Sequence, residues 1–406
     1  MSRSDNGRDP STGLIHHPYT PPEGFAAPQP GVHKASTVLF RDVAALRARD
    51  WRHKTGYTYG LHGTPTTFLL EERIATLEGG LQCVLAPSGL AALALVDLAL
   101  LRAGDHVLIP DNAYGPGKDL ASGLLAGYGI GHALYDASSP AALEAALAEH
   151  PTTRLVWLEA PGSVTREFPD LRGLLRAARA RGVTTALDNT WGAGIAFDGF
   201  ALDTAEDGRP LGADIVMQAL TKYPSGGGDV LMGSVTTRDE ALHHRIKLAH
   251  MQLGMGIGAN DAEAVLRSLP SVALRYAAQD AAGRELATWL QARPEVVRVL
   301  HPALPGSPGH EHWRALCGAA AGLFSVLFDP RFSQRQVDAF VDALRLFGIG
   351  YSWAGPMSLV VPYDVARMRT PNPYEGRLVR FSVGLEAVAD LKADLAQALA
   401  ALTASG

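Results

Sequence analysis

The chain has 406 residues, 47% of them hydrophobic, with 36 Lys and Arg against 41 Asp and Glu. That length and balance favour two folded domains and exclude a disordered or fibrous protein. No basic block occurs, so nucleic acid and anionic membranes are poor partners, and the two cysteines, Cys83 and Cys317, exclude a disulfide framework or a CxxC metal site.

In chain order, residues 1–35 are rich in Pro, Gly and Ser and predict an extended arm that lies on a neighbour in an oligomer. Met1 to Pro22 carries no apolar core of a signal peptide, and no apolar run is long enough to span a bilayer; a cytoplasmic protein is expected. A loop of Tyr, Gly and Thr over 57–66 leads into a helix over 68–77, where Leu70, Ile74 and Leu77 keep the helical spacing and Gly79-Gly80 stops it. A strand over 82–86 feeds Pro87-Ser88-Gly89 and an apolar helix over 90–101. The first amides of such a helix have no intrahelical partner and form an anion site, although Ser-Gly before a helix is also an ordinary N-cap.

Strands over 106–109, 154–159 and 184–187 each end in a polar, turn-forming cluster: Asp111 to Tyr114, Ala160-Pro161-Gly162, and Asp188-Asn189-Thr190. This alternation predicts a mostly parallel sheet with helices on both faces and a ligand beyond the carboxyl ends of the strands. The run Ile215-Val216-Met217 is another buried strand. It delivers Thr221-Lys222-Tyr223 into the turn Gly226-Gly227-Gly228, where burial would give Lys222 the neutral amine needed to condense with an aldehyde cofactor. Beyond Asp261, long Ala/Leu/Arg helices lead to a smaller α/β domain, with strands over 322–328, 346–351 and 378–383 and helices over 334–346 and 385–403. The expected division is an arm over 1–60, a large domain over 61–262 and a small domain over 263–406.

Four strand ends thus offer amides at Ser88, Gly89 and Leu90, an aromatic ring at Tyr114, a carboxylate at Asp188 and an amine at Lys222. Pyridoxal phosphate asks for this set: a helix N-terminus for its phosphate, a flat partner for its ring, an anion for its pyridine nitrogen and a lysine for its aldehyde. An Asx turn at Asp188 and a half-buried core ring at Tyr114 are the alternatives for each residue alone.

The chain resembles the Cys/Met-metabolism family of pyridoxal-phosphate enzymes from about Gly31 to its C-terminus. The resemblance is carried by Tyr59-Gly60, Gly63-Thr64-Pro65-Thr66, Leu77-Glu78-Gly79-Gly80, Asp188-Asn189-Thr190-Trp191, Thr221-Lys222-Tyr223, His301 to Gly306 and Tyr351-Ser352-Trp353. The last two, with Arg380 and Gly384-Leu385-Glu386, favour its β-lyase branch over the γ-synthases and γ-lyases. It implies an aminotransferase-like, fold type I large domain with a mostly parallel seven-stranded sheet, plus a smaller C-terminal α/β domain. It also implies that Lys222 holds the cofactor and acts as the base, that Asp188 pairs with the ring nitrogen and Tyr114 stacks on the ring, and that Tyr114 or Tyr59 tunes proton transfers. Ser88, Gly89, Leu90, Thr221 and Tyr59 would bind phosphate; Arg380, Ser352 and Trp353 would bind an amino-acid thioether. Tyr59 would come from a neighbouring copy, in a homotetramer built as a dimer of active-site dimers. Where the family usually has a phosphate-binding arginine this chain has Leu61, followed by His62, and Ala219 replaces a frequent serine.

Overall fold

The computed structural model describes residues 10–17, 22–25, 27–205, 208–369, 372–374 and 376–404. Seven strands form the large sheet: β1 (Gln82–Ala86), β2 (His106–Pro110), β3 (Gly131–Tyr135), β4 (Thr153–Glu159), β5 (Thr184–Asp188), β6 (Ile215–Gln218) and β7 (Gly233–Thr237). Their spatial order is β1-β7-β6-β5-β4-β2-β3. Neighbours from β3 to β6 are parallel, and β7 runs antiparallel to both β1 and β6. The expected mostly parallel seven-stranded sheet is therefore present. Strands β3 and β7 escape a reading of apolar runs: β7 is Gly-Ser-Val-Thr-Thr, fully buried although three of its five residues are hydroxylic.

Two helices flank β1 in the chain. Helix α1 (Pro65–Glu78) starts three residues before its apolar periodicity, because Thr64 and Thr67 cap each other's amides and Pro65 takes the first turn. It stops where Gly79 turns left-handed at φ 78°. Helix α2 (Gly89–Leu100) is N-capped by Ser88, whose hydroxyl accepts from the amide of Ala91 at 3.0 Å. No helix among the described residues is long and apolar enough to cross a membrane.

A second sheet holds β8 (Val296–Leu300), β9 (Leu323–Phe328), β10 (Gly348–Ile349), β11 (Leu359–Tyr363) and β12 (Arg377–Ser382), in the order β8-β9-β12-β11-β10. The strand expected over 346–351 shrinks to two residues, and at its start the Asp394 carboxylate takes the amide of Leu346. Strand β11 is hidden in the sequence by Pro362, which sits opposite Val379. Its own core gathers Phe324, Phe328, Phe340 and Phe381, with Phe324 stacked on Phe381 at 5.2 Å.

The expected boundary at 262/263 falls within α3 (Ala259–Ser268). Val265, Leu266, Leu269 and Val272 still belong to the larger core, and the second core takes over from Ala282 within α4 (Val272–Gln291). On packing grounds we propose the division inside α4. The expected extended arm contains the short helix Pro10–Ile15, and Leu14 is buried in the larger core. Residues 1–9 lie outside the described residues.

Candidate active site

The parallel strands bring their carboxyl ends to one rim, and the second sheet closes over it. Between them lies a cavity of about 590 Å³. Ser88, Gly89, Leu90, Tyr114, Asp188, Thr221, Lys222, Ser352, Trp353 and Arg380, ten of the eleven residues expected at the site, line it. The eleventh, Tyr59, does not line the cavity of its own chain. It is half-exposed, with its hydroxyl 3.2 Å from that of Ser36 and its ring beside His62.

Lys222 leaves the end of β6 through a turn anchored from below by Tyr223, whose buried hydroxyl accepts the amide of Gly322 at 2.9 Å. The Lys222 amine donates to Ser352 Oγ at 2.7 Å and lies 5.4 Å from the Trp353 ring. Burial, reinforced by the Arg380 charge and opposed by Asp188, lowers its pKa to about 8. Arg380, on β12, donates from Nη2 to the Ser352 carbonyl at 3.0 Å. Ser352, held at φ 85°, therefore ties the amine to the guanidinium.

Asp188 ends β5, with one oxygen accepting the amide of Thr190 at 2.9 Å. That is the Asx turn of the alternative reading, yet the carboxylate also faces the cavity, so turn and site coincide. Burial raises its pKa, and Lys222 and the Thr190 bonds pull it back. A cation opposite Asp188 would relieve that burial.

At the far wall, Ser88 spends its hydroxyl on Ala91, and Ala92 bonds the Ser88 carbonyl. The amides of Gly89 and Leu90 are left free at the start of a twelve-residue helix. A Cβ on Gly89 would lie 2.7 Å from the Ala219 Cβ, so the small residues at both positions let this helix end approach β6. The Thr221 hydroxyl is already engaged with the Met232 backbone on both sides, at 3.2 and 3.1 Å.

Two residues of the cavity carry chemistry that the sequence reading missed. Glu159 ends β4 and pairs in register with Asp188, which makes it the second carboxyl of the rim. Burial and the Asp188 charge push its pKa up to about 8, while one oxygen accepts the Tyr114 amide at 2.7 Å. Its position as the last residue of a parallel strand was the available signal. Arg166, in the loop after β4, offers no such signal, because only the loop's fold brings it back to the cavity.

An aldehyde cofactor with a phosphate tail and a basic ring nitrogen fits this set: free helix amides, a partly buried carboxylate in no ion pair among the described residues and a lysine of lowered pKa share one chamber. The family model for Cys/Met metabolism PLP-dependent enzymes matches residues 11–400. The chain belongs to that family. The cystathionine beta-lyase of Bordetella avium is 40% identical over 398 residues, covering 95% of this chain and 96% of its own. That of Escherichia coli K12 is 34% identical over 374 residues, or 90% and 91% of the two chains. A solved structure of cystathionine gamma synthase from Xanthomonas oryzae pv. oryzae in complex with cystathionine superposes with a TM-score of 0.88 at 28% identity, over 98% of this chain and all of that one. The large sheet and smaller C-terminal sheet are thus the fold type I arrangement, and the cofactor of the family is pyridoxal phosphate.

Proposed function

We propose that the chain is a carbon–sulfur lyase that cleaves L-cystathionine, with water, to homocysteine, pyruvate and ammonia. The observation that carries this reading is the convergence of Lys222, Asp188 and Arg380 on one chamber, with Ser352 bonded to both basic groups. Pyridoxal phosphate supplies an aldehyde for the substrate amine and a protonated ring that draws off the electrons left at Cα.

The residues divide the remaining work. Gly89 and Leu90 receive the phosphate on their free amides, and Asp188 keeps the ring nitrogen protonated. Arg380 holds the substrate α-carboxylate with a planar fork that fixes orientation as well as affinity. Lys222, released when substrate amine takes its place, removes the Cα proton; a group held at a pKa near 8 is suited to that exchange at neutral pH. The sulfur departs from Cβ as a thiol. Tyr114 borders the same space, its pKa raised by burial and by Asp188, so it stays protonated and can donate.

The rival reaction in this family, γ-elimination, needs a second proton moved at Cβ. Here the amine bonds Ser352 and lies beside the Trp353 ring, the Ser-Trp pair that the resemblance associates with the β-lyase branch. Product analysis tests the choice. Purified protein incubated with L-cystathionine should release homocysteine and pyruvate, whereas cysteine and 2-oxobutyrate would replace this reading with the γ-reaction.

On the same reading the enzyme works in methionine biosynthesis in the cytoplasm, as a dimer of active-site dimers in which Tyr59 of the partner subunit completes each site. His62 is a poor substitute for the missing arginine. Its Nδ1 lies 2.8 Å from Thr58 Oγ1, and burial, with the Lys247 and Arg49 charges nearby, lowers its pKa and so disfavours the charged form. Leu61→Arg should therefore tighten cofactor binding by about tenfold, the worth of one charge-assisted contact in a partly screened place. Titration of apoprotein with pyridoxal phosphate reads the change. An unaltered affinity would mean that this loop does not reach a phosphate.

A further inference from the structure

The loop leaving β4 places a second guanidinium in the cavity. Arg166 is 4% exposed and lines the same chamber as Lys222 and Arg380. Its Nε has no hydrogen-bond partner, and among the described residues no carboxylate lies within ion-pair distance of it. Glu159, whose charge attracts it, instead accepts the Tyr114 amide. A buried cation without a counter-ion is costly unless an anion arrives to meet it.

The loop is built to keep the residue there. Val164 and Arg166 both adopt left-handed backbone, at φ 67° and 60°. The Arg166 amide bonds the Gly162 carbonyl at 3.1 Å, and the Gly162 amide bonds the Glu167 carbonyl at 2.9 Å. Glu167 is in turn gripped by Asn112 at 2.9 Å, Tyr374 at 2.6 Å and Arg369 at 2.7 Å. Strained conformations held this firmly by their surroundings cluster at ligand-binding positions. Both guanidinium groups line the same chamber, and the Arg380 charge, after burial, lowers the hold of Arg166 on its own. The cofactor phosphate has its amides at Gly89 and Leu90, and one α-carboxylate satisfies Arg380. One cation is left over.

We propose that Arg166 is the receptor for a second carboxylate, which makes the site selective for cysteine thioethers whose sulfur substituent is itself acidic. The inference rests on the β-elimination reading above and adds the substrate class to it. A matched pair of substrates isolates the charge: S-(2-carboxyethyl)-L-cysteine and its amide, S-(2-carbamoylethyl)-L-cysteine, which is nearly the same size. The holoenzyme should favour the acid in kcat/KM by at least about tenfold, as a polar pocket discriminates against a ligand lacking the group it pairs. Arg166→Met should bring that ratio to within about twofold, and Arg166→Lys should leave it intermediate. Equilibrium binding of both compounds to the holoenzyme by calorimetry gives the same comparison without turnover. Absence of turnover with either compound would thus count against the elimination reading while the binding ratio still judges Arg166. An acid-to-amide ratio near one in the wild type overturns the proposal even if the methionine variant does not fold. So does a preference for acid that survives Arg166→Met.

Discussion

Lys222→Ala is expected to abolish turnover, with kcat falling by at least about four orders of magnitude, while pyridoxal phosphate still associates through its phosphate. In the proposed mechanism this side chain is both the covalent anchor and the base, so its loss removes two roles at once. Among the described residues Ser352 is the only side chain hydrogen-bonded to the amine, and its hydroxyl is far too weak a base. The pH dependence of cofactor attachment is a second signature. Only the neutral amine condenses with an aldehyde, and burial brings the Lys222 pKa down to about 8. In wild-type apoprotein the attachment rate should rise with pH and level off just above 8. A lysine at its ordinary value would still be gaining at pH 10. Full activity in Lys222→Ala, measured by pyruvate release, would remove the basis of the mechanism.

Asp188→Asn comes second. The substitution keeps the shape and the bond from Thr190 and removes the negative charge that, in the proposed mechanism, faces the ring nitrogen. A neutral ring draws electrons poorly, so the chemical step should slow much more than cofactor affinity falls. Loss of one charge-assisted hydrogen bond in a buried place is worth roughly 2–3 kcal/mol, or about two orders of magnitude in rate. Burial of the Asp188 carboxyl makes the charge costly without a cation opposite, so the asparagine apoprotein should be at least as stable as wild type to heat. A rate defect joined to unimpaired stability separates a cofactor partner from a residue that only shapes the turn. Unchanged kcat would leave Asp188 as that turn residue alone.

Asp188, Lys222, Tyr114 and the Ser88 turn could be found from sequence for one physical reason. In a parallel sheet the chain leaves every strand at the same rim, so strand ends that carry complementary groups meet without any knowledge of the loops between them. Ser352, Trp353 and Arg380 come from the other sheet, and their place could be named only through the family resemblance. Glu159 was within reach of the rim argument, but its pairing with Asp188 depends on strand register, and a short apolar run such as β4 does not disclose register. Arg166 was out of reach. Its position depends on left-handed backbone at two residues that are not glycine and on a grip at Glu167 from Asn112, Arg369 and Tyr374, partners up to 207 positions away. The large sheet was read as mostly parallel, yet its antiparallel member β7 and the proline-bearing β11 lacked the apolar runs that mark strands. Tyr59 is the reverse case: the resemblance names it, and a single chain holds it outside its own cavity.

Two other lysines share some of the features of Lys222. Burial lowers the pKa of Lys118 and of Lys247, but Lys118 is held by the carbonyls of Asp111 and Met368, and Lys247 lies over the Phe68 ring. Neither lines the chamber. Borohydride reduction of the cofactor-loaded protein, followed by proteolysis and mass spectrometry, distinguishes the three directly. The pyridoxyl label should appear on the peptide that contains Lys222 and on no other; a label on the peptide of Lys118 or Lys247, with Lys222 unmodified, would contradict the site.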